Sequence, residues 1–150
     1  MLALVLAFVF LAPEGTTTRD EAAIAGSTTL ASGPYEGADS FHFGAGTVSL
    51  VRDTAGAHHL RFEGYAARSG PDVYFYLVRD AGAATTEAVE GAGLKVRVPG
   101  GAEDGQATVR GDFNVALPAD FDPQAWTALV AWCDQYNARF GTAVLAPPGG

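Results

Sequence analysis

At 150 residues the chain suits a single domain with a real core rather than two domains. With 48% hydrophobic and 17% charged residues it is not a disordered polymer. Its formal charge of -8 disfavours nucleic acid and anionic membrane surfaces as partners, because both require a cationic face.

Residues 2–12 (LALVLAFVFLA) form an uninterrupted apolar run. A bilayer core of ~30 Å needs about 20 apolar residues to span, so this run is too short for a transmembrane helix. It fits the apolar core of a signal peptide, typically about 7–15 residues, although no Lys or Arg precedes it. Ala23-Ile24-Ala25 has the small-x-small form of a cleavage site. Residues 1–25 therefore read as a signal peptide or membrane-anchoring segment plus linker. That implies a secreted or extracytoplasmic protein of the cell envelope, touching membrane only through this segment if it stays uncleaved. A buried N-terminal strand is the alternative. Residues 13–29 are small and polar with two bursts of Thr, and read as linker.

The folded domain is expected over residues 30–145, where period-2 patterns dominate. The 19 Gly and 8 Pro are scattered, as turns between short strands require. Residues 47–63 read as a hairpin, with the cluster 52–57 (RDTAGA) as its turn. Residues 73–78 (VYFYLV) are aromatic and β-branched throughout, which marks a central strand buried on both faces. Residues 94–98 (LKVRV) alternate with their charges outward, and residues 108–117 add one or two more strands. Residues 79–93 and 99–106 are loop-like. The fold class expected is all-β: one β-sandwich or β-barrel-like domain of about 7–9 short antiparallel strands.

One stretch is ambiguous. Asp122-Pro123 makes a good helix start, and Trp126, Leu129, Val130 and Cys133 fall on one helical stripe. The same residues also form a buried strand over 127–133. Periodicity alone slightly favours the helix.

Several pieces stand in a recognisable order. Ala31-Ser32-Gly33-Pro34-Tyr35 precedes Phe41-His42-Phe43-Gly44, then Leu60-Arg61-Phe62-Glu63-Gly64-Tyr65, then Gly70-Pro71-Asp72 with its aromatic strand. Residues 111–118 (GDFNVALP), Trp132-Cys133 and Phe140-Gly141 follow. Any one piece is weak, since Gly-Pro-Asp is a common turn. In this order they resemble the DM-thirteen domain family, also called electron-transfer domains. The resemblance implies a β-sandwich-like extracytoplasmic domain and turns residues 127–133 into a strand. It makes Gly70, Pro71, Asp72, Trp132, Phe140 and Gly141 a structural motif. It also implies a redox role for the single cysteine, Cys133, with haem as a candidate cofactor. The partner implied is an unidentified redox protein or another extracytoplasmic molecule.

The residues themselves leave Cys133 open. One thiol cannot form an internal disulfide or a Cys-rich metal site, so redox chemistry needs an external partner. On a strand, Cys133 shares a face with Leu129 and Ala131, while Val130 and Trp132 face the other way. Apolar neighbours make a thiol inert. A working redox cysteine needs exposure at a strand end and a cation such as Arg139 or Arg52. His42 is a weak metal candidate, to be weighed against a surface histidine. Asp72 reads as a turn-capping carboxylate, or else as a polar group near the thiol. Trp126, Trp132, Tyr74, Phe75 and Tyr76 read as core. No nucleophile–base spacing suggests a hydrolase. Two functions follow: an extracytoplasmic redox or electron-transfer accessory domain using Cys133, rather than a stand-alone enzyme, or a non-catalytic β-sandwich binding or adhesion module whose cysteine is structural.

Overall fold

Runs of β-branched and aromatic residues punctuated by Gly, Pro and Asp set the strands. A computed structural model describes residues 16–149. The apolar run at 2–12, read above as signal or anchor, lies outside the described residues. In chain order the elements are β1 (Thr17–Asp20), β2 (Thr28–Gly37), β3 (Gly44–Arg52), β4 (His58–Ala67) and β5 (Val73–Val78). A helical turn α1 (Glu87–Gly91), β6 (Leu94–Val96) and a second turn α2 (Ala102–Gly105) follow, then β7 (Val109–Ala116), β8 (Ala128–Cys133) and β9 (Ala138–Val144).

The nine strands form one sheet ordered β1-β7-β4-β3-β2-β9-β8-β5-β6, curled into a half-barrel. The all-β, barrel-like expectation holds. The sheet curls because β2 changes partners along its length: it pairs with β3 as far as Pro34 and with β9 from Tyr35 to Gly37. Arg19 of β1 donates a hydrogen bond to the Pro99 carbonyl beyond β6, linking the two edges of the sheet.

The hollow of the curl is filled by aromatics. Phe62 stacks on Phe113 with ring centres 4.4 Å apart, and Phe75 and Tyr65 pack on Phe62. All six residues of β5 and all six of β8 are buried, because this part of the sheet is covered on both faces. Phe75, Leu77, Leu129, Ala131 and Cys133 face the inner core. Tyr74, Tyr76, Val78, Ala128, Val130 and Trp132 face a second apolar layer, roofed by Ala83 and Val89 of the segment around α1.

Several expectations are corrected. The helix that periodicity alone favours from Trp126 to Cys133 is absent, and the strand that the resemblance implies over 127–133 is present as Ala128–Cys133; two buried faces give the same apolar run as a helix, and pairing with β5 and β9 decides the matter. The stretch read as linker contains β1, whose pairing with β7 is the one parallel pair among the described strands. It was illegible because Thr17–Asp20 buries little and is held through its backbone and by Arg19 and Glu21. The two loop-like stretches carry the single turns α1 and α2.

Candidate functional site

Sheet pairing brings the motif residues together at one end of the half-barrel. Val73 pairs with Cys133, Cys133 with Ala138, and Gly37 with Gly141. The β4–β5 turn, the β8–β9 turn and the β2–β3 loop therefore converge there. Cys133 has 0% of its surface exposed. Its Sγ donates to the Pro71 carbonyl at 3.1 Å, and Pro71 itself is exposed. The sulfur thus lies one peptide unit beneath the surface.

The turn above it is tied down by backbone. Asp134 N–H donates to Asp72 O at 2.8 Å, and Ala107 N–H donates to Val73 O at 2.8 Å. Asp72 sits in the left-handed region with φ 54°, a costly conformation for a non-glycine residue and one that Asp tolerates better than most. The turn-capping role expected of its carboxylate is not realised: among the described residues that carboxylate accepts no hydrogen bond, and it is the Asp72 backbone that holds the turn.

Phe140 and Gly141 earn their place in the motif by contact. A Cβ on Gly70 would come within 2.9 Å of the Phe140 ring, and a Cβ on Gly141 within 2.2 Å of the Tyr35 hydroxyl. Both glycines admit an aromatic ring. Trp132, on the opposite face from the thiol, donates from Nε1 to Glu90 at 3.2 Å. Beside it, Asp134 accepts from the Tyr76 hydroxyl and from Lys95 Nζ, each at 2.8 Å, and Lys95 lies 3.7 Å above the Tyr74 ring centre. Burial, then the Asp134 carboxylate, pushes the Tyr76 phenol well up.

Around the motif the surface is aromatic. Phe41 and Phe43 are 61% and 53% exposed. The Arg68 guanidinium sits 4.1 Å from the Phe41 ring centre and 5.6 Å from that of Phe43. His42 packs on Phe140 at 4.4 Å and places Nδ1 2.9 Å from Asp39 Oδ2. Hydrogen bonds from the His42 backbone and ring hold the Asp39 carboxyl below its usual range.

The cations expected near the thiol are elsewhere. Arg52 ends β3 at the far end from Gly44, and Arg139 stands opposite Trp132. The candidate ligands do not form a joint haem or metal site. His42 turns Nδ1 to Asp39, which leaves Nε2 as its one ligating atom, and Cys133 is buried in the core. Among the described residues no three His, Cys, Asp or Glu side chains cluster to hold an ion. A cavity of about 490 Å³ lies at the far end, lined by Leu30, Leu50, Arg52, Trp126 and Leu145 among others, with no His or Cys. Sequence reasoning missed Glu90, Lys95 and Arg68. Only the outward alternation of Lys95 and Arg97 hinted at the first cluster, and nothing in spacing linked Arg68 to Phe41.

A family model described as Electron transfer DM13 matches residues 38–145. No curated protein and no solved structure shows a significant match.

Proposed function

This chain belongs to the DM13 electron-transfer family, and from that premise we propose that it is an extracytoplasmic accessory domain that exchanges electrons through Cys133. One observation carries the reading: the buried thiol donates to the main chain of the β4–β5 turn, with Sγ 3.1 Å from the carbonyl of an exposed proline. Local opening of a surface turn costs far less than global unfolding, so a buried thiol in this position is gated rather than lost.

In the cycle we propose, the turn opens and a partner carrying an oxidised one-electron metal centre docks. The thiol gives one electron to that centre and its proton to water. A reduced donor later returns the electron, and the proton is regained from water. With one cysteine in the chain, no internal disulfide can end the cycle. Export rests on the apolar run at 2–12.

The complete burial of Cys133 favours a second reading, a binding or adhesion module in which the sulfur only fastens the turn. Reduction of a c-type cytochrome separates the two. Under the first reading the wild-type chain passes on about one electron equivalent and Cys133→Ser passes on none. Equal behaviour of both proteins with native folds retains only the second.

A further inference from the structure

We propose that the Cys133 end of the domain rests on the interface of a zwitterionic lipid bilayer, with Phe41, Phe43 and Tyr136 among the headgroups. Of the four exposed large hydrophobic side chains among the described residues, these three lie at this end; the fourth, Val144, does not. Aromatic rings are the side chains that favour the boundary between water and lipid. Arg68, stacked on Phe41 and Phe43, presents an apolar stem and a charged head suited to the same layer.

The chain's own path supplies the occupant. Thr17 N–H bonds to Thr108 O, and the adjacent Ala107 N–H bonds to Val73 O, opposite Cys133. β1 therefore starts at this same end. The apolar run stops at Ala12, five residues before Thr17, and five residues reach at most about 18 Å. With residues 2–12 in a membrane, the aromatic end is the part of the domain that faces it.

Charge selects the lipid. At this end Asp134 is paired with Lys95, and Asp39 is hydrogen-bonded to His42. The chain as a whole carries -8, so anionic headgroups repel it at low salt. This placement is independent of the redox chemistry: loss of electron exchange in Cys133→Ser leaves it untouched. A redox partner of Cys133 then approaches along the bilayer surface.

The test uses the full chain with phosphatidylcholine vesicles carrying brominated acyl chains. Trp132 is buried and Trp126 lies at the far end, so wild-type fluorescence is little quenched. Phe41→Trp, with Phe43→Trp as a second probe, is expected to be quenched strongly on binding. The double variant Phe41→Asp/Phe43→Asp, with unchanged circular dichroism, should lower vesicle partitioning at least tenfold. Partitioning that survives the double variant, unquenched new tryptophans, or an absence of vesicle binding by the full chain each overturns the proposal, the last leaving the patch to a soluble partner.

Discussion

Gly141 illustrates how a motif residue acts through space it leaves empty. A methyl there meets the Tyr35 hydroxyl at 2.2 Å and the Glu36 carbonyl at 2.8 Å, so Gly141→Ala overpacks the inner core. We expect it to cost about 1–3 kcal/mol in denaturant unfolding. Tyr35→Phe in the same background should recover part of that loss, giving a measurable coupling in a double-mutant cycle. The Tyr35 hydroxyl is itself buried without a hydrogen-bond partner of acceptable geometry, its polar neighbour being the Tyr65 phenol. Burial pushes the Tyr35 phenol up to about 12, and burial moves Tyr65 upward as well. The folded state therefore holds these protons more tightly than the unfolded chain. Their contribution is complete below about pH 10, the ordinary phenol value, and is lost as pH rises through the folded-state values. Urea midpoints measured from pH 8 to pH 11 should fall more steeply for wild type than for Tyr35→Phe; parallel curves would refute the assignment. The facing of Cys133 with Leu129 and Ala131 was legible from strand alternation alone. The Sγ–Pro71 contact was not, because it joins residues that no local pattern connects.

At the scale of elements, β1 was the least legible piece and has the clearest consequence. Glu21 Oε1 accepts from Asn114 N–H at 3.1 Å, and Glu21 O accepts from buried Arg61 at 2.8 Å. Cutting at Ala25 would remove the strand and leave Arg61 without that acceptor, a loss of about 1.5–3 kcal/mol for a bond to a charged group. A chain beginning at Gly26 should melt several degrees below one beginning at Thr16, and equal melting temperatures would show β1 to be dispensable. A cleavage that keeps this edge has to fall before Thr17. On the outer face, Asp134→Ala strips both Tyr76 and Lys95 of their acceptor. We expect it to destabilise by about 1–3 kcal/mol without altering vesicle partitioning. The strands over 47–63 and 73–78 were readable because alternation and aromatic density reflect burial directly. Residues 122–133 misled on periodicity because a strand covered on both faces has no alternation to show.

Across the whole molecule, sequence separation dominates. β1 pairs with β7 and β2 with β9, contacts between distant parts of the chain that require large loops to close before they reward folding. Refolding over about milliseconds to seconds is the expectation for such topology, checked by stopped-flow fluorescence of Trp132. The same topology gathers a turn, a loop and a hairpin at the sulfur's end of the sheet, and the sulfur's hydrogen bond goes to the turn. Native-state labelling of Cys133 by a small thiol reagent, followed across a denaturant series, tests this most directly. The account predicts a plateau at low denaturant, slower than a free thiol yet faster than global unfolding allows, set by local opening of the Gly70–Asp72 turn. A labelling rate that follows global unfolding at every denaturant concentration would contradict it.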